Sequence, residues 1–214
     1  MKLTLREWQF KLKPKEEQLY NCSEFSHQND EWVSFPIGMG FTFINYQGSL
    51  EKVQLGEHNI LVLSSIRVHT DRRRRPDGIN RDTIVKILTN NEISNIDMNT
   101  NLYFETLPNY KFVISPEGNG IDCHRHYEAL MAGCIPIIEE NELIKEKYKG
   151  CPILYTKDYS EITKEYLEEK YKIMIDTEYD FSCLLLSSYS EDIQKQIKEN
   201  GNYWANRLTG KKWY

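Results

Sequence analysis

Several features are missing from this sequence, and each absence excludes something. No apolar run approaches the roughly 20 residues that a helix needs to cross a bilayer, so no membrane span is expected. Met1 to Lys15 is charged and carries no apolar signal core. The five cysteines (Cys22, Cys123, Cys134, Cys151 and Cys183) are odd in number and scattered. They show neither a disulfide framework nor zinc-finger spacing, which suits a reducing compartment. Together these absences give a cytoplasmic location as the expectation. Positive charge is also short: 27 Lys and Arg stand against 32 Asp and Glu, for a net charge of −5. That balance argues against nucleic acid as a partner. The one basic run, Arg72 to Arg75, reads first as a solvated loop, with steering of an anionic ligand as the sharper alternative. Neither a low-complexity linker nor an internal repeat appears.

What is present is an ordinary globular balance, 40% hydrophobic and 28% charged over 214 residues, enough for one large or two small domains. From Ile60 to about Lys172, strand and helix patterns alternate, the mark of a parallel sheet covered by helices. Ile60 to Leu63 reads as a buried strand that ends in Ser64, Ser65 and Arg67. Arg81 to Asn90 reads as a helix, and Tyr103 to Tyr110 as a helix or a loop. Glu139, Glu140 and Glu142 open a helix through Tyr148, and Cys151 to Tyr155 is a strand. A further helix covers Glu161 to Lys172 with Ser160 as cap. A last helix opens at Ser190 and closes at Asn200-Gly201. Before the sheet, Met1 to Tyr20 suggests a half-buried strand or irregular packing. Asn21 to Gly40 is a loop, and Phe41 to Tyr46 alternates like a strand or hairpin. The aromatic tail, with Trp204 and Trp213, suits core or interface better than a sugar platform.

The densest stretch runs from Lys111 to Ile138. Lys111 to Ile114 is a strand, and Ser115 to Gly120 a loop with Pro116 and two glycines. Asp122 is placed to cap a helix that runs to about Ala132, with Gly133 at its C′ position. Ile135 to Ile138 returns as a strand whose start is marked by Pro136. On the helix, Tyr127, Leu130 and Met131 share a face suited to the sheet. Arg125 and Glu128 share another, beside Ala129 and Ala132. A helix N-terminus suits a phosphate, Arg125 can add a bidentate fork, and Glu128 can accept from sugar hydroxyls. The bland alternative is an exposed Arg125–Glu128 pair of little energetic weight. Cys123, His124 and His126 diverge by about 100° per helical residue and do not read as a metal site.

The run Ser115-Pro116-Glu117-Gly118-Asn119-Gly120-Ile121-Asp122, continued by Arg125, Glu128-Ala129-Leu130 and Gly133-Cys134-Ile135-Pro136-Ile137, resembles the donor-binding segment of exostosin-like glycosyltransferases of the GT-B fold. Weaker similarity covers Phe35 to Gly40, Cys151 to Leu154 and Tyr159 to Thr163. The resemblance implies an α/β, Rossmann-like parallel sheet with helices on both faces, like the donor half of a GT-B enzyme. It implies inverting, metal-independent transfer of a sugar from a UDP- or GDP-linked donor to a glycan or other hydroxyl acceptor, with no cofactor. The donor site expected from motif and resemblance comprises Ser115, Glu117, Gly118, Asn119, Gly120, Asp122, Arg125 and Glu128. Arg67 joins it from a strand end and Arg81 from a helix start. No residue is assigned as catalytic base. Residues 1–50 are expected to be a remnant of the acceptor half, 51–190 the nucleotide-sugar domain, and 191–214 a C-terminal helix and tail. The alternative is a non-catalytic nucleotide-sugar-binding module or a subunit of a two-chain transferase, and a partner chain or a homo-oligomer is the expected assembly.

Overall fold

The computed structural model describes residues 1–46 and 55–214. The segment Met1 to Tyr20 begins as strand β1 (Lys2–Thr4), which turns directly into helix α1 (Leu5–Phe10). Thr4 makes the turn possible. Its hydroxyl accepts from Glu7 N while the Glu7 carboxylate accepts from Thr4 N, a reciprocal capping box. Leu5 and Trp8 on α1 are fully buried. Phe41–Asn45, which alternates like a strand, is a 3₁₀ turn. The turn drives Phe43 inward against Phe104 and Trp213, so the alternation reflects one anchor residue and not a pleated strand.

The central sheet is parallel, in the order β2 (Ile60–Leu63), β3 (Tyr110–Ile114), β4 (Ile135–Glu139), β5 (Leu154–Thr156). The two inner strands are apolar nearly throughout, as strands covered on both faces are. β2 is an edge strand: Ile60 is 46% exposed and only Leu63 is fully buried, so the expected burial of the whole strand does not hold. Pro136 lies opposite Val113 but precedes Ile137, where pairing with β5 begins. The strand therefore tolerates a residue that cannot donate. The chain is thus an α/β protein with a Rossmann-like sheet flanked by helices. Because the order contains no reversal, the loops that leave β2, β3 and β4 stand in one row along the carboxyl edge.

Helix α2 (Arg81–Asn90) is capped by Asn80, and α3 (Thr100–Thr106) by Asn99. Helix α4 (His124–Met131) follows the glycine loop, and Gly133 takes φ +78 at its end. Glu139 belongs to β4, so the next helix, α5 (Glu142–Lys147), begins later than its run of acids suggests and is capped by Asn141. Thr163, not Ser160, caps α6 (Lys164–Met174); Asp158 instead caps a 3₁₀ turn over Tyr159–Glu161. Tyr171 on α6 packs edge-on against Phe112 of β3. Strand β6 (Glu178–Asp180) pairs antiparallel with β1. The last helix, α7 (Glu191–Thr209), runs straight through Asn200-Gly201 and ends at Gly210 in the left-handed region. Gly201 serves contact, not termination. A Cβ there would stand 1.6 Å from the Tyr20 carbonyl oxygen. One core unites these parts, since Trp8, Tyr20 and Phe35 belong to the same cluster as Phe112, Ile137 and Ile197.

Candidate functional site

The carboxyl ends of β2, β3 and β4 bring together three segments: 67–81, 115–123 and Glu139. Arg81 is the hinge of this arrangement. Its side chain is 7% exposed, and all five of its N–H groups have acceptors. Nε donates to Glu117 O at 2.8 Å. Nη1 reaches Thr70 Oγ1 at 2.7 Å and Arg67 O at 3.5 Å, and Nη2 reaches Pro116 O at 2.7 Å and Cys123 Sγ at 3.9 Å. Burial lowers its pKa from the usual arginine value. The guanidinium thus pins the glycine loop to the loop after β2 and keeps no donor for a ligand.

The arginine run joins the same network. Arg74 donates to the Glu117 carboxylate at 2.5 Å and to Gly118 O at 3.3 Å. Arg75 donates to Glu139 at 2.8 Å, to Glu117 O at 2.8 Å and to the fully buried Asp71 at 3.1 Å. Burial works against the Arg75 charge, but the hydrogen bond and charge of Glu139, with Asp71, carry its pKa above the usual value. Glu139 also accepts from Glu117 N at 3.0 Å. Arg67, Arg72 and Arg73 are exposed, and none of them forms an ion pair among the described residues. They leave a cationic rim beside the loop.

Within the loop the expected residues separate into two groups. Ser115 Oγ is fully buried and bonds His126 Nδ1 at 2.7 Å. His126 Nε2 lies 3.2 Å from Ile121 O, so the ring donates there and accepts from Ser115. Burial pushes His126 down to about 4, which keeps it neutral. Asp122 does not cap α4; Cys123 occupies that position without a side-chain bond. The Asp122 carboxylate is buried and accepts from Ile37 N at 3.0 Å, Lys147 Nζ at 3.0 Å and Tyr148 Oη at 2.8 Å. Gly118 and Gly120 do not adopt positive φ. Each instead lies close against the end of a side chain. A Cβ on Gly118 would lie 2.8 Å from Arg81 Nη2, and one on Gly120 would lie 2.5 Å from the Glu24 carboxylate. Glu24 accepts from Asp122 N at 2.9 Å, so a loop amide already receives an anion. Asn119 is exposed.

Helix α4 has no bare face: Ala129 and Ala132 are as buried as Leu130 and Met131. Trp8 Nε1 donates to Leu130 O, and Gly40 N to Glu128 Oε1 at 3.1 Å. Glu128 is 6% exposed, and its other oxygen accepts from Tyr103 Oη at 3.2 Å. It does not pair with Arg125. The Arg125 guanidinium lies 5.5 Å from the Tyr103 ring centroid, and its buried Nε has no hydrogen-bond partner among the described residues. Burial first, then the Glu128 charge, raises the Tyr103 hydroxyl well above its ordinary value, so it stays protonated and donates. Cys123, His124 and His126 face different partners: Cys123 the Pro116 and Gly120 carbonyls, His124 Gly38 O at 2.9 Å, and His126 Ser115. Sequence reasoning did not single out Glu24, Asp71, Tyr103 or Lys147. Glu139 was placed in a helix, although its position at the end of an apolar run was the available signal.

A parallel α/β sheet with a glycine-bearing loop tied to arginines at its carboxyl edge defines a Rossmann-like domain. Residues 75–200, more than half of the chain, match the family model for the RXYLT1 C-terminal domain, and the chain belongs to that family. RXYLT1 is a glycosyltransferase related to the exostosins, in agreement with the resemblance carried by Ser115 to Ile138. No curated protein matches the chain.

Proposed function

We propose that this chain binds the diphosphate of a UDP- or GDP-linked sugar beside α4 and transfers the sugar to a hydroxyl acceptor in GT-B fashion. The observation that carries the reading is Arg125: a half-buried arginine held against Tyr103, whose buried Nε–H has no acceptor among the described residues. A phosphate oxygen would satisfy it with a charge-assisted bond. The exposed Arg67, Arg72 and Arg73 draw a polyanion toward the same edge. Asn119, Gly120 and the first-turn amides of α4 complete the contacts, while Arg81, Ser115, Glu117 and Asp122 hold the loop in shape. Glu128 orients Gly40 and Tyr103 and has lone pairs left for a sugar hydroxyl.

In this reading the acceptor oxygen attacks the anomeric carbon from the face opposite the diphosphate. The bond from that carbon to the phosphate oxygen breaks, and the configuration inverts. The acceptor proton goes to a base that is not assigned. Arg125 and the amides stabilise the departing diphosphate without a metal. The N-terminal segment as a remnant acceptor half, a second chain or copy that completes that half, and a cytoplasmic location belong to the same proposal.

One observation favours the runner-up, a non-catalytic nucleotide-sugar module: the acidic groups of the loop, Glu117 and Asp122, are both already paired. Calorimetric titration of UDP and GDP in EDTA, followed by mass spectrometry of the intact nucleotide sugars with the chain, separates the readings. The proposal expects saturable binding in EDTA and slow release of nucleoside diphosphate. Binding without release supports the module, and no binding of either nucleotide overturns both.

A further inference from the structure

The scattered cysteines do not stay scattered in the fold. Cys151 follows α5 and Cys183 follows β6, 32 residues apart, yet their sulfur atoms lie 3.3 Å from each other. Both are free thiols. The approach is built into the backbone. Gly150, at φ +89, faces Asp180 so closely that a Cβ would stand 3.0 Å from the Asp180 Cβ, and Asp180 N donates to Gly150 O at 3.0 Å. A side chain at 150 would push the two segments apart. Cys183 is further fixed by Tyr189 Oη, which donates to its carbonyl at 2.7 Å.

We infer that Cys151 and Cys183 form a dithiol site that closes to a disulfide when the protein meets a disulfide oxidant such as oxidised glutathione. The reaction balances without help from any other group. Cys183, the half-buried thiol, loses its proton and attacks one sulfur of the oxidant; a mixed disulfide forms and one glutathione thiolate leaves. Cys151 then loses its proton and attacks the Cys183 sulfur, releasing the second glutathione. Two S–H bonds are lost, one S–S bond forms, and the oxidant takes up both electrons. The sulfurs move only from contact to a bond of about 2 Å, a small shift for two side chains that already face each other.

The site lies directly behind the glycine loop and α4. Cys151 N donates to Tyr148 O at 3.0 Å, and the Tyr148 hydroxyl holds Asp122. Leu184, next to Cys183, accepts from the Tyr127 hydroxyl of α4 at 2.7 Å. A closed disulfide would join the supports of Asp122 and Tyr127 to each other.

The test needs no knowledge of the substrate. The folded full chain is equilibrated with oxidised glutathione, quenched in acid, alkylated and digested. The inference expects a cross-linked peptide pair containing Cys151 and Cys183, two hydrogens lighter than the sum of the free peptides, and a higher melting temperature than in dithiothreitol. Cys183→Ala, which removes only the half-buried partner, should fold and lose both the cross-link and the shift, whereas Cys22→Ala should keep both. Recovery of both cysteines alkylated, a persistent glutathione adduct on Cys183, or a lower melting temperature for the cross-linked form would overturn it.

Discussion

Arg81 and Arg125 flank one loop and hold opposite positions in its energetics. Arg81 spends its whole fork on the protein, so Arg81→Ala would take from the Pro116 carbonyl its nitrogen donor inside a buried site and leave Glu117 O to Arg75 alone. The expected loss is about 1–3 kcal/mol of folding stability, the cost of one orphaned buried group. Arg125 gives up its contact with Tyr103, whose cation–π share is worth about 0.5–1 kcal/mol. Arg125→Ala should therefore melt close to the wild type while nucleoside diphosphate affinity falls roughly 10- to 100-fold, the weight of about 1.5–3 kcal/mol for a charge-assisted bond. Lysine at 125 should recover only part of that, because it keeps the charge without the planar fork. Thermal melts and titrations of the three variants decide the assignment. Unchanged affinity in Arg125→Ala would remove it from the site. The sequence made both arginines visible as loop neighbours but could not rank them, because saturation of a guanidinium depends on carbonyls that only the folded loop supplies.

The elements show a similar division between what is local and what is not. Apolar periodicity is local, and the helix over Arg81–Asn90 was readable to its last residue; its cap, Asn80, emerged only in the fold. The strand, glycine loop and helix from Tyr110 to Met131 were readable because an apolar run, a proline and two glycines all favour the same structure. Gly201 was not readable. Asn-Gly at a helix end is a common stop, and only the Tyr20 carbonyl, brought there by a different part of the chain, explains a glycine within α7. Gly201→Ala is then expected to destabilise the protein by about 1–3 kcal/mol or more, although alanine is the better helix former by about 1 kcal/mol. Urea unfolding measures the difference, and a stabilised variant would show that the contact yields. The Asp122 assignment failed for a related reason: its carboxylate is claimed by Lys147 and Tyr148 from α5 and its C-terminal end before it can serve its own helix.

At the scale of the molecule, two histidines are held neutral by one shared core. Burial takes His58 and His126 down to about 4 from the ordinary 6.5. His58 Nδ1 lies 2.7 Å from Tyr110 O, while its buried Nε2 has no hydrogen-bond partner among the described residues. The unfolded chain takes up protons below about pH 6.5 and the folded chain does not until near pH 4. The stabilisation is therefore complete above 6.5 and is lost as the pH falls through that window. At about 1.4 kcal/mol per unit for each ring, the unfolding free energy should drop by about 4 kcal/mol between pH 7 and pH 5. A flat response in urea titrations at the two values would show that one or both rings already carry a proton in the fold. The strand pairing that closes the molecule has a further consequence, in time rather than in energy. Among the described residues β1 pairs only with β6, and the Arg6–Asp176 contact beside it spans 170 residues. At about 5–20 residues per second, a ribosome needs roughly 10–35 s to reach that partner. Until then Leu3 and Trp8 are apolar surface without a seat, and the growing chain has reason to engage a chaperone during its own synthesis.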